Sequence, residues 1–233
     1  GGEIVLRRTY GVRDVETRAP VGAETLFALG SITKSLTGLA TAVAAEDGTF
    51  SLDVPVRGLL PYFPPDISLR HLLSHTAGWP RHDALWYLDA YGREELPQRL
   101  SLLPRFATPG AAFQYNNVPF AAAGVALAQA QGRSWDEVVR RTVLDPAGMA
   151  GAVTTVAAFQ AAPDRASPYF PGDDGRIPVP LRDTDPVAPA AGLYAHLDDM
   201  LRYARLLANG GDGRVSAAAV RTVLSPSFPG YGL

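Results

Sequence analysis

Ser31 and Lys34 stand three residues apart in the run Leu29-Gly30-Ser31-Ile32-Thr33-Lys34-Ser35, and Lys34 is the only lysine in a chain whose other twenty basic residues are all arginine. A serine becomes a nucleophile when a neighbour accepts its proton, and a guanidinium with pKa above about 12 does not do so. An amine can. Holding an ordinary lysine neutral at pH 7 costs about 4.6 kcal/mol, and burial lowers an amine's pKa by about 3 to 5, enough to supply most of that. A sequence that uses arginine almost everywhere and lysine once, beside a serine, points to a removable proton. Taken alone, the pair is also an ordinary helix start with a serine cap.

Two further stretches carry chemistry-bearing side chains. In residues 107–120, ATPGAAFQYNNVPF, a Pro-Gly turn leads into Tyr115-Asn116-Asn117. Such a loop can place a phenol and a carboxamide together, the phenol as proton shuttle and the amide of Asn117 as donor to a substrate carbonyl. The other reading is a turn tyrosine with an asparagine capping the next helix. In residues 67–80, ISLRHLLSHTAGWP, His71 and His75 are four apart, a spacing that can offer two imidazoles to a metal. No HExxH glutamate and no cysteine completes a ligand set, so no metal site is assigned and His75 is read as a hydrogen-bonded turn residue.

The elements that must position these groups follow from periodicity. Ile4–Leu6 reads as a β-strand, and Gly11 marks a turn. Apolar residues at Ile32, Leu36, Leu39, Ala40, Val43 and Ala44 repeat every 3.6 residues and stop at Asp47-Gly48, which predicts a helix beginning at Ser31. Three residues make roughly one turn, so Lys34 lies over the same face as Ser31 and leans back toward it. A small-residue helix is predicted over about 118–131, and a short one capped by Ser68 and ended at Gly78.

Composition narrows the function classes. The chain has 233 residues, 47% hydrophobic and 19% charged, which fits a globular protein with a substantial core. A net charge of -2 argues against a dedicated nucleic-acid binder. No apolar run approaches the roughly 20 residues of a membrane span, and the first residues read as a strand rather than a signal peptide. The absence of cysteine excludes disulfides and thiolate chemistry without placing the protein in a compartment.

Together these stretches resemble the serine β-lactamase and penicillin-binding-protein-like superfamily, in particular the branch of class C β-lactamases, D-aminopeptidases, carboxypeptidases and related esterases. Ser31-Ile32-Thr33-Lys34 is similar to its Ser-x-x-Lys motif and Tyr115-Asn116-Asn117 to its Tyr-x-Asn motif. LLSHTAGWP, VLDPAGM at 143–149 and AAGLYAHLDDMLRYARLLANGG at 190–211 resemble further blocks, in the expected order. The resemblance implies an α/β fold: a β-lactamase/DD-peptidase-like three-layer sandwich with a mainly antiparallel sheet and an inserted all-α lobe. It implies one catalytic-type domain over 1–233, with 1–50 and 190–233 on the sheet side. Residues 51–189 form the helical lobe and end in a Pro-rich cleft wall at 163–189, which carries seven prolines and the acidic turn Asp173-Asp174-Gly175.

Carried onto this sequence, the resemblance makes Ser31 the nucleophile of an acyl-enzyme, with its backbone N–H at the helix start as one oxyanion donor. Lys34 and Tyr115 share the proton work, neither being assigned alone as base, and Asn117 orients the substrate. The implied activity is a metal-independent, cofactor-free serine hydrolase acting on a β-lactam, a D-amino-acid peptide or an ester. The alternative is a non-catalytic relative, or a piece of one, that binds ligand without efficient turnover. A Ser-His-Asp hydrolase finds no support, since no Gly-x-Ser-x-Gly elbow occurs. The family setting is the bacterial periplasm or secretion, with a cytoplasmic location open. The partners implied are a small-molecule or peptide substrate and no nucleic acid.

The sequence departs from the family pattern in two places. Ala195-His196 stands where a Ser or Thr commonly caps a helix, and a weaker cap is expected there. The third motif, Lys-Thr-Gly or His-x-Gly on a strand beside the nucleophile, is missing, so the chain is expected to lack both ends of a typical member. Either these residues are an incomplete record of a longer chain or the sheet is completed by another segment or an oligomer partner, and alone they are expected to turn over acyl substrates poorly.

Overall fold

A computed structural model of the chain describes residues 4–48, 50–88, 91–173 and 175–233. Gly30 opens the first helical segment at φ +52°, a left-handed conformation that L side chains resist. It throws the chain from strand β1, Phe27–Ala28, into a single 3₁₀ turn, Gly30–Ile32, and then into helix α1, Thr33–Glu46. The helix predicted from Ser31 thus begins with a tighter turn that carries the serine, and it ends at the Asp47-Gly48 stop. Short helices follow at α2, Leu69–Leu73, α3, Ala84–Tyr87, and α4, Leu96–Ser101. The long α5 covers Asn117–Gln131, and α6, Trp135–Val139, runs through a π turn at Arg140–Leu144 into α7, Asp145–Ala147. After α8, Val156–Ala161, come the hairpin strands β2, Tyr169–Gly172, and β3, Gly175–Pro178. Helix α9, Ala188–Ala191, strand β4, Tyr194–Ala195, and helices α10, Leu197–Ala208, and α11, Ala217–Leu224, complete the order.

From Val118 to Leu127 helix α5 is apolar and buried on every side, as a helix at the centre of a core must be. Its small residues Ala121, Ala122, Ala123, Gly124 and Ala126 let α1, α2, α4, α6 and α9 approach closely. Strand β1 pairs antiparallel with β4, Phe27 opposite Ala195 and Ala28 opposite Tyr194, and Val153 bridges to Tyr194 on the other side. Helix α1 is tied to the α9 segment by side chains as well as packing. Thr37 donates to Pro189 O at 2.7 Å, Trp135 Nε1 donates to Thr37 Oγ1 at 3.0 Å, and Leu193 N donates to Thr33 Oγ1 at 2.9 Å. These bonds fix the register of α1 against the carbonyls of α9.

Gly124 sits where α5 meets Pro189, and a Cβ there would lie 2.4 Å from the proline ring. Gly124→Ala is therefore expected to destabilise the protein by about 1 to 3 kcal/mol through overpacking, measured as a lowered denaturant midpoint at unchanged slope.

Three expectations need correction. Ile4–Leu6 forms no strand: no described residue pairs with it, and Val5 is 91% exposed. Helix α2 has the predicted Ser68 cap but ends at Leu73 rather than Gly78. The start of α10 is not weakly capped, because His196 occupies the N-cap and its Nδ1 accepts the Asp199 N–H at 3.3 Å. Of the acidic turn at 173–175, Asp174 lies outside the described residues. No helix among the described residues is long and apolar enough to cross a membrane.

Candidate active site

Ser31 is exposed on its 3₁₀ turn, and Lys34, one turn further on, is only 3% exposed beneath it. Lys34 Nζ lies 3.2 Å from Ser31 Oγ and donates to Asn117 Oδ1 at 2.8 Å and to Ala190 O at 3.0 Å. The Tyr115 hydroxyl donates to Ser31 Oγ at 2.7 Å, and Nζ stands 4.7 Å from the centre of the Tyr115 ring. The four residues singled out in the sequence therefore meet at one point, delivered by the head of α1, by the loop before α5 and by the first residue of α5.

Two adjacent asparagines divide the work at that junction. Asn116 takes the extended conformation of an N-cap and accepts the Val118 N–H at 3.2 Å, while its Nδ2 donates to Pro80 O at 2.8 Å. This leaves Asn117 free of capping. Its Oδ1 holds Lys34, and its Nδ2 donates to Asp83 Oδ1 at 3.2 Å. Asp83, which the sequence reading did not single out, also accepts from Trp86 Nε1 at 3.0 Å and pairs with Arg81. No local pattern distinguishes Asp83 from the other carboxylates of the chain.

Burial is the main cause that pushes Lys34 down from the ordinary lysine range to about 7. The Asp83 carboxylate opposes that shift and Arg81 adds to it. A neutral amine has two N–H groups and one lone pair. Here two carbonyl oxygens at 2.8 and 3.0 Å match the two N–H groups, leaving the lone pair for the more distant Ser31 Oγ.

The two histidines serve separate hydrogen-bonding roles. His71 lies inside α2, where its Nδ1 accepts the Ser68 N–H at 3.2 Å in a capping box. His75 lies beyond the helix at φ +60° and hydrogen-bonds Asn116 N and Tyr231. Among the described residues no three His, Cys, Asp or Glu side chains group around a possible ion. Beside the serine turn opens a groove of about 550 Å³ whose walls include Ala28, Gly30, Pro168, Leu181, Arg182 and Tyr194.

An exposed serine heading a helix, a buried lysine one turn behind it and a tyrosine from the facing loop are carried on the fold of β-lactamases and penicillin-binding proteins. The chain belongs to the Beta-lactamase family, whose model matches residues 1–228. It is 29% identical to the esterase EstB of Burkholderia gladioli over 86% of this chain and 62% of that protein. It is 24% identical to penicillin-binding protein 4* of Bacillus subtilis over 97% of this chain and 54% of that one. The solved octameric penicillin-binding protein homologue from Pyrococcus abyssi superposes with a TM-score of 0.83 at 25% identity, covering 96% of this chain and 54% of that chain. The chain thus spans about half the length of the curated relatives it matches.

Proposed function

We propose that the protein is a metal-independent serine hydrolase that works through an acyl-enzyme on Ser31, with a β-lactam, a D-amino-acid peptide or an ester as substrate. The observation that carries this reading is Ser31 Oγ held between Lys34 Nζ at 3.2 Å and the Tyr115 hydroxyl at 2.7 Å. The relatives named as an esterase and a penicillin-binding protein support it.

Ser31 Oγ attacks the acyl carbonyl carbon and gives its proton to the Lys34–Tyr115 pair, and the carbonyl electrons move onto oxygen to form a tetrahedral oxyanion. The Ser31 backbone N–H, at the positive end of the helix, faces that charge. Collapse re-forms the carbonyl and expels the alkoxide or amine, which takes its proton from the Tyr115 hydroxyl. Lys34 returns a proton to the phenol. Water then attacks the Ser31 ester in the same sequence and releases the acid. Asn117 Nδ2 has two protons, one for Asp83 and the second for the acyl substituent's carbonyl. The apolar groove beside Gly30 takes the acyl group.

The test is covalent capture. Incubation with a fluorescent penicillin or a fluorophosphonate is expected to add one label, which intact mass and peptide mapping place on Ser31. The labelling rate should also report Lys34. The amine is neutral above about 7 and protonated below it, so the rate is expected to rise with pH through about 7 and then level off. No adduct with either probe, or a rate that falls as pH rises through that range, would end this reading.

A further inference from the structure

Tyr115 is held from both sides by a single residue of another segment. His75 O accepts the Gln114 N–H at 2.8 Å, and His75 Nδ1 accepts the Asn116 N–H at 3.2 Å. The amides before and after Tyr115 therefore both end on His75. The two rings also pack, centroids 4.4 Å apart with 39° between their planes. Beyond this clamp the same segment runs on in register, with Gly110 N donating to Thr76 O at 2.8 Å and Phe106 N to Gly78 O at 2.9 Å.

The clamp sets the state of the ring. An amide N–H can only donate, so Nδ1 must present a lone pair, and the neutral ring carries its proton on Nε2. That proton faces the Tyr231 hydroxyl at 3.0 Å. His75 is 2% exposed, and burial, helped by the charge of Lys34, lowers its pKa to about 3. The ring is thus a fixed acceptor at neutral pH. Its backbone sits at φ +60°, a conformation uncommon for any residue other than glycine and worth noting where it occurs beside a reactive group.

We infer that His75 is the positioning residue of Tyr115: by clamping the amides on both sides of it and packing against its ring, His75 places the phenol on Ser31 Oγ without exchanging a proton with substrate. This inference rests on the reading of Ser31 as nucleophile and adds a residue to its machinery.

A double-mutant cycle on the full chain separates positioning from mere structure. The rate of Ser31 labelling by a fluorophosphonate is measured for wild type, His75→Ala, Tyr115→Phe and the double variant, each first shown to be folded by its thermal transition. His75→Ala is expected to label about 10²-fold more slowly, the effect of a reacting group misplaced by about 1 Å. Tyr115→Phe is expected to lose about 10² to 10⁴. If His75 acts through the phenol, the double variant is slower than Tyr115→Phe alone by no more than about threefold. Losses that multiply would overturn the inference.

His75→Asn provides the rescue. Asparagine tolerates positive φ and carries an oxygen where Nδ1 stood, so it is expected to keep the rate within about tenfold of wild type. An asparagine variant as slow as the alanine variant would count against the clamp. Should His75→Ala fail to fold, imidazole nitrogen NMR on the wild-type protein at pH 7.5 decides the matter. The Nε2–H tautomer is expected, and an Nδ1–H tautomer overturns the inference. A wild-type protein that never labels would instead overturn the hydrolase reading, and the tautomer would still decide the clamp.

Discussion

Replacing Ser31 by alanine is expected to leave a folded protein that takes no covalent label and turns over no acyl substrate. The side chain is exposed on a 3₁₀ turn, so its removal opens no cavity in the core. What it loses is the bond from Tyr115 and the contact with Lys34, a change in stability of no more than about 1 kcal/mol. The kinetic effect is of another order. Among the described residues Ser31 carries the hydroxyl that both Lys34 and Tyr115 meet, and removing the nucleophile of a catalytic unit costs about 10⁴ or more in rate. The measurement is intact mass after incubation with a fluorophosphonate, together with hydrolysis of a chromogenic β-lactam and a p-nitrophenyl ester. Full labelling of the alanine variant would place the nucleophile elsewhere and end the proposed mechanism.

The local half of this site was legible in the sequence because helices are local. A spacing of three puts Ser31 and Lys34 on one face whatever the rest of the chain does. The contact of Tyr115 with Ser31 spans 84 positions, and nothing in spacing or periodicity encodes a contact at that range. Loop chemistry marks Tyr115 as a possible proton shuttle, and the resemblance to a family is what joins it to Ser31. Asp83 was missed because its role depends on where α5 delivers Asn117, which is a property of packing.

The errors have physical reasons as well. Ile4–Leu6 has a strand's residue types, but a strand is defined by its partner, and no described residue pairs with it. The weak cap expected at α10 came from the usual cap set of Ser, Thr, Asp and Asn. This chain instead uses imidazole. His71, His75 and His196, three of its four histidines, each accept a backbone N–H at Nδ1, from Ser68, Asn116 and Asp199 respectively. An unprotonated ring nitrogen is as good an acceptor as a hydroxyl oxygen, and it lies outside the pattern that sequence rules search for.

Lys34, buried with its pKa pushed down to about 7, does not serve the stability of the fold. A lysine with a pKa near 7 in the folded protein and about 10.4 when unfolded binds more protons in the unfolded chain throughout that interval. Stability therefore rises with pH from about 7 to 10.4 on account of this group, and its destabilising effect is fully present below 7. A residue kept for structure alone would not be expected to carry such a penalty. Lys34→Arg keeps the charge and roughly the length, and a guanidinium brings N–H donors of its own for the two acceptors that the ammonium now meets, Ala190 O and Asn117 Oδ1. A structural ion would tolerate the change. A base cannot, because the guanidinium has no lone pair to offer Ser31 at any pH the protein survives. The arginine variant is expected to fold, as judged by its thermal transition, and to acylate about 10² to 10⁴ more slowly than wild type. Its residual labelling rate should also lose the rise through pH 7 that the wild type shows, since the titrating group is gone. Acylation within a few-fold of wild type, or a pH profile that keeps its rise, would assign the proton to another group, and the single lysine of this chain would then be a matter of packing.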